Sequence, residues 1–219
     1  MTEPLPSIVV LISGGGSNLQ AIIDATQDGR IRGKITAVIS NKADAYGLER
    51  ANKANIPTRI LDHREYQDRE SYDAALGDLI EEFQPSLIIL AGFMRILTED
   101  FVRRFEGRML NIHPSLLPKY RGLHTHKRAL EAGDDIHGAS VHFVTPELDG
   151  GPAILQAEVP IIEGDTPESL ASRVLEQEHV IYPLVASWFT DGRVRLDGSG
   201  VVFDDKLLQQ PLKLDQISE

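Results

Sequence analysis

The run Ser7-Ile8-Val9-Val10-Leu11-Ile12-Ser13, followed at once by Gly14-Gly15-Gly16-Ser17-Asn18, constrains this chain more than any other stretch. The run is uncharged and apolar at both odd and even positions, so it has no polar face to give to water. It reads as a strand buried on both sides of a parallel sheet. Three glycines then break it. Leu19, Ile22 and Ile23 recur at helical spacing, with Ser17 or Asn18 expected as the cap, until Asp28-Gly29 closes the helix. A strand, a glycine turn and a helix form a β-α unit. The turn presents backbone N–H groups and a helix N-terminus to an anion, and glycine permits close approach.

The unit repeats. Strands are expected at Ile35 to Ser40, Thr58 to Leu61, Ser86 to Ala91 and Met109 to His113, separated by helical patterns. One of these carries Tyr72, Leu76, Leu79, Ile80 and Phe83 on a single face and ends before Pro85. In the second half, His137 to Phe143 and Ala153 to Val159 read as a strand pair around the loop Thr145 to Pro152. Thr166 opens a long helix that turns Leu170, Val174, Ile181, Leu184 and Trp188 inward. The expected fold class is α/β: a doubly wound, mostly parallel sheet with helices on both faces and antiparallel strands in the C-terminal half. A chain of 219 residues, 42% hydrophobic and 25% charged, is expected to form one domain. Beyond Asp197 the pattern weakens, and residues 198–219 are given no role.

Composition removes several functions. The absence of cysteine excludes disulfides, thiolate metal sites and a Cys nucleophile, and it suits a reducing compartment, so a cytoplasmic location is expected. Neither a basic leader nor an apolar run of about 18 residues is present, so no membrane role is expected. A net charge of −11 speaks against a nucleic-acid partner. The balance is uneven, however. Arg95, Arg103, Arg104, Arg108, Lys119, Arg121, Lys127 and Arg128 outnumber Glu99, Asp100 and Glu106, which suits a small anionic ligand as well as a solvated surface.

The first turn lacks the third glycine of a dinucleotide fingerprint, where Leu19 stands, and the lysine of a P-loop, so a monophosphate is the expected anion. Asn111 and His113 end a strand with period-two spacing and therefore share a face. An amide beside an imidazole can stabilise an oxyanion. Asp149 stands in Asp149-Gly150, which by itself reads as a turn; a carboxylate there is also suited to charging a histidine. His124 and His126 lack partners at metal-ligand spacing, and Glu176 with His179 is half of a two-copy motif, so no metal is expected.

Ala91-Gly92-Phe93-Met94-Arg95-Ile96-Leu97 and Asn111-Ile112-His113-Pro114-Ser115-Leu116-Leu117-Pro118 resemble the folate-dependent formyltransferase family. Val9 to Gly14, Ser40 to Ala45, Gly122 to His126, Ser140 to Val144 and Gln177 to His179 narrow the resemblance to its glycinamide-ribonucleotide branch. The resemblance spans about Ser7 to Leu196. It implies a formyl transfer from 10-formyltetrahydrofolate, as co-substrate, to the amine of glycinamide ribonucleotide in purine synthesis. It further implies that Gly16, Ser17, Asn18 and Glu178 bind the nucleotide. Arg69, Met94, Arg95, Ile96, Leu97, Asn111, Val144 and Asp149 would bind the folate, and Asn111, His113 and Asp149 would form the catalytic trio. On this reading residues 1 to about 100 serve the nucleotide phosphate, and about 101–197 serve catalysis and folate. The partners are small molecules, and the protein works as a monomer or homodimer.

Two relatives of this family compete. Methionyl-tRNA formyltransferases share the Asn-x-His pair but carry a basic tRNA-binding domain, and formyltetrahydrofolate hydrolases add a regulatory domain before the first strand. A simple phosphate-binding module would explain the glycine turn and leave the polar trio without a purpose.

Overall fold

The computed structural model describes residues 1–217. The chain runs β1 (Ser7–Ile12), α1 (Ser17–Gln27), β2 (Lys34–Ser40), α2 (Gly47–Lys53), β3 (Thr58–Ile60), α3 (Arg69–Glu81), β4 (Leu87–Leu90), α4 (Glu99–Arg104) and β5 (Met109–His113). It continues through α5 (Thr125–Ala132), β6 (Ile136–Phe143), β7 (Ala153–Pro160) and α6 (Pro167–Thr190) to four short strands: β8 (Val194–Asp197), β9 (Gly200–Phe203), β10 (Lys206–Leu207) and β11 (Leu212–Lys213). Eight strands form one sheet in the order β11-β7-β6-β5-β4-β1-β2-β3. The five from β3 to β5 are mutually parallel, whereas β6 is antiparallel to both β5 and β7. The expected doubly wound sheet with antiparallel strands in its second half is therefore present.

Alternation along β1 divides the core. Ile8, Val10 and Ile12 pack with the apolar faces of α1 and α6, and Val9 and Leu11 pack with Tyr72, Leu76 and Ile80 of α3 and with Phe101 and Val102 of α4. Helices cover both faces because the strand has no polar side. From β1 the chain winds outward through β2 and β3, then crosses back to place β4 on the other flank of β1. That reversal opens a crevice at the carboxyl ends of β1 and β4, where ligands bind in open α/β sheets.

Three features differ from the sequence reading. The N-cap of α1 is Gly16 in the left-handed conformation (φ 75°), not Ser17 or Asn18, so no side chain caps the first N–H groups. The segment around His124 and His126 opens a helix, α5, which begins at Thr125 after left-handed His124. The weakly patterned tail also holds strands within its described residues. Strands β8 to β10 form a separate antiparallel sheet, and β11 joins the main sheet beside β7.

Candidate active site

Ser13 ties the crevice together. Its hydroxyl donates to Asn41 Oδ1 at 2.6 Å and accepts the Met94 N–H at 2.8 Å, joining the ends of β1 and β2 to the loop after β4. On β5, Leu110 and Ile112 belong to the core on the α6 side, so Asn111 and His113 face the opposite way, as period-two spacing requires. Antiparallel pairing sets His142 of β6 beside Asn111 and Ser140 beside His113.

Asn111 opens onto a cleft floored by Leu90, Phe93 and Val102 and lined by Arg95, Ile96, Leu97, Val144 and Asp149. Six of the expected folate residues thus share one cavity wall. Two do not. Met94 holds its place through its backbone while its side chain is exposed, and Arg69 opens α3 on the surface, outside the lining. The Arg95 guanidinium stacks 4.4 Å over the Tyr72 ring, which aims it along the α3 side of the cleft.

His113 is buried, with an acceptor at one ring nitrogen and a carboxylate near the other. Nε2 lies 2.7 Å from the Tyr120 carbonyl oxygen, and Nδ1 lies 3.6 Å from Asp149 Oδ2. The Tyr120 carbonyl is an acceptor, so the ring carries a proton on Nε2. At 3.6 Å the carboxylate acts by charge rather than by a hydrogen bond, and Oδ2 instead accepts the Gly122 N–H at 2.8 Å. Asp149 is left-handed (φ 50°), so it is a turn residue and a histidine partner at once. Sequence reasoning had set these two readings against each other.

Sequence reasoning gave no role to two further residues. One is Tyr120, whose carbonyl fixes His113. The other is His142, which lines the cleft with its Nδ1–H donating to the Phe143 carbonyl at 2.9 Å and its buried Nε2 without a partner. Burial lowers the His142 pKa, which favours the neutral ring with Nε2 as an unpaired acceptor. Alternation along β6 placed His142 on the Asn111 face; its unpaired nitrogen had no signal in the sequence.

A second cluster lies at the glycine turn. Gly14 and Gly15 have open space where a Cβ would stand, whereas a Cβ on Gly16 would lie 2.8 Å from the Gly47 Cα. Glycine at 16 is therefore required by the packing of α2, and the free approach to the turn lies at 14 and 15. Arg50 of α2 donates from Nε to the Gly15 carbonyl at 2.7 Å. Asn18 donates to Glu178 Oε1 of α6 at 3.2 Å, and burial pushes the Glu178 carboxyl up to about 7 against the pull of that hydrogen bond. Gly16, Ser17, Asn18 and Glu178 thus form one cluster across α1 and α6. His126 instead meets His137, Nδ1 to Nε2 at 3.1 Å, and burial takes His137 down to about 4.

Comparison with known proteins matches the chain to the formyl transferase family over residues 7–186. The chain is 57% identical to the phosphoribosylglycinamide formyltransferase of Escherichia coli K12, across 92% of this chain and 95% of that one. It is 53% identical to the Haemophilus influenzae enzyme of the same name, across 93% and 96%. Among solved structures, the phosphoribosylglycinamide formyltransferase of Coxiella burnetii in complex with CHES superposes with a TM-score of 0.92 at 54% identity, covering 96% of this chain and 99% of that one. An Asn-x-His pair at a doubly wound switch point, a carboxylate beside it and this extent of likeness lead to one assignment: the chain belongs to the formyl transferase family.

Proposed function

We propose that this protein transfers the formyl group of 10-formyltetrahydrofolate to the amine of glycinamide ribonucleotide, giving formylglycinamide ribonucleotide and tetrahydrofolate in purine synthesis. The observation that carries this is 57% identity to a phosphoribosylglycinamide formyltransferase over nearly the whole of both chains. The protein acts in the cytoplasm on small molecules, as a monomer or homodimer. Among the described residues no helix is long and apolar enough to cross a membrane.

In this reading the nucleotide phosphate sits against Gly14 to Asn18, where the uncapped N–H groups of α1 and the open space at Gly14 and Gly15 favour an anion. Glu178 takes hydroxyl or amine donors of the same substrate. The folate enters the cleft between Arg95 to Leu97 and Val144 to Asp149, with Met94 and Arg69 reserved for the exposed arm beyond the cleft mouth. Residues up to about 100 then serve chiefly the nucleotide phosphate, and those from about 101 to 197 serve chiefly catalysis and folate binding.

The chemistry is acyl transfer without a covalent enzyme intermediate. The unprotonated amine of the nucleotide attacks the formyl carbon, the carbonyl π electrons move to oxygen, and a tetrahedral oxyanion forms. The Asn111 amide and the His113 imidazolium donate hydrogen bonds to that oxygen. Asp149 stays ionised, favours the positive charge on His113 and helps a water relay the proton from the attacking amine to the folate nitrogen; the oxyanion then collapses to re-form the carbonyl as the C–N bond to the folate breaks. Holding both substrates at one switch point supplies proximity.

The test is the rate of tetrahydrofolate formation from 10-formyltetrahydrofolate with and without glycinamide ribonucleotide. Turnover that requires the ribonucleotide and yields its formylated product is the expected result. Formate release at the same rate without an acceptor would make the protein a hydrolase.

A further inference from the structure

We propose that Asp134 is a positioning residue for His113, acting through the Tyr120 phenol to hold the turn whose carbonyl takes the imidazole Nε2–H. This rests on the reading of His113 as the group that stabilises the oxyanion.

The turn Tyr120-Arg121-Gly122 touches both ionisable members of the trio. The Tyr120 carbonyl lies 2.7 Å from His113 Nε2, and the Gly122 N–H donates to Asp149 Oδ2 at 2.8 Å. One three-residue segment therefore sets the imidazole and its carboxylate relative to each other. Its backbone is not a relaxed one. Tyr120 is left-handed (φ 54°), a conformation unfavourable for a non-glycine residue, and it persists only where surrounding contacts hold it.

Those contacts come from α5 and the start of β6. The Tyr120 hydroxyl donates to Asp134 Oδ2 at 2.5 Å, and Lys119 Nζ approaches the same oxygen at 3.0 Å. The Asp134 N–H is in turn fixed to the Ala129 carbonyl of α5 at 3.2 Å. Arg128 of α5 lies 5.2 Å over the Tyr120 ring and donates from Nη1 to the Arg121 carbonyl at 2.6 Å. The phenol hydrogen bond, with Lys119 second, holds the Asp134 carboxyl below its usual range. Asp134 is thus an ionised acceptor on a fixed helix-to-strand junction, and it is the only group in this chain of contacts that anchors the Tyr120 side chain by a hydrogen bond.

The consequence for chemistry is a fixed tautomer. With Nε2–H committed to a carbonyl, the proton that His113 gains or gives resides on Nδ1, the nitrogen facing Asp149. Release of the Tyr120 ring frees the turn, the carbonyl moves off Nε2, and the neutral ring can then carry its proton on either nitrogen.

Steady-state kinetics and ring ¹⁵N NMR on Tyr120→Phe, Asp134→Ala and Asp134→Asn test this. In Tyr120→Phe, which removes one oxygen and leaves the ring to pack, and in Asp134→Ala, kcat should fall about tenfold to a hundredfold while both KM values stay within about twofold. Asp134→Asn keeps an acceptor for the phenol but loses the Lys119 ion pair, and it should recover most of that loss. The double variant Tyr120→Phe/Asp134→Ala should be no slower than the worse single variant. The His113 Nε2–H signal of the wild type should give way to a tautomer mixture in both damaging variants. Unchanged kcat in both, or loss of rate with the Nε2–H signal intact, would overturn the proposal. If the wild type proved not to formylate the ribonucleotide, the functional reading would fail, and the NMR comparison would still decide whether Asp134 sets the His113 tautomer.

Discussion

His113 Nδ1 and Asp149 Oδ2 stand 3.6 Å apart, with the oxygen held by the Gly122 N–H at 2.8 Å rather than by the imidazole. The carboxylate is positioned by the backbone and acts on the ring through its charge. Asp149→Asn keeps an oxygen for Gly122 and removes that charge. Its kcat should fall by about 10² or more with the fold intact, because the charge that favours the imidazolium in the transition state is gone. Steady-state kcat beside a circular dichroism spectrum checks both parts; near wild-type turnover would assign Asp149 a purely structural place.

The glycine turn separates packing from binding. A side chain at 16 meets the Gly47 backbone at a left-handed residue, so Gly16→Val should damage folding and cannot report on phosphate. Gly15→Ala meets no protein atom within 4 Å. It should raise KM for the nucleotide at least about tenfold and leave the folate KM unchanged. Equal changes in both constants would show that the turn does not hold the phosphate.

Glu178 makes stability depend on pH. Its carboxyl titrates near 4.5 when unfolded and about 7 when folded, where burial is the main cause. Below about 4.5 both states are neutral and nothing is lost. Between there and about 7 the unfolded chain ionises first, so stability falls as pH rises, by up to an amount on the order of 3 kcal/mol. Glu178→Gln lacks this slope. Its melting temperature relative to wild type should therefore rise from pH 4.5 to pH 7.5; a constant difference across that range would contradict the burial argument.

The features legible in the sequence were those that alternation along one strand dictates. The apolar run before Gly14 announced the central strand, and the spacing of Asn111 and His113 put both on one face, because neither depends on distant contacts. The Asp149 carboxylate was harder to read. It meets His113 only through a left-handed turn and a Gly122 contact from another loop, and locally it was just an Asp-Gly pair. The α1 cap fell on Gly16 because α2 packs against that glycine, a tertiary reason that capping preferences do not contain. Strand β11 is two residues long and owes its place to β7, so no local pattern announced it. The remaining ligand contacts came from family resemblance, which grouped most folate positions in one cleft and left Arg69 and Met94 outside its lining.

The Thr145-to-Asp149 loop forms one wall of the cleft, exposes Leu148 and is tied to the Tyr120 turn by the Arg121–Glu147 ion pair. A folate analogue that fills the cleft should cover it. Hydrogen exchange at these amides should slow on adding the analogue and not on adding the nucleotide alone. Protection confined to other segments would place the folate elsewhere.

The central claim is that Asn111 and His113 together stabilise the oxyanion of a direct formyl transfer. The measurement is kcat for Asn111→Ala and His113→Ala at saturating 10-formyltetrahydrofolate and glycinamide ribonucleotide, with nucleotide affinity determined in parallel. Loss of one preorganised donor typically costs about 10² to 10³ in rate, so each variant should fall on that scale while still binding the nucleotide. Turnover near the wild-type rate in both variants would contradict the account.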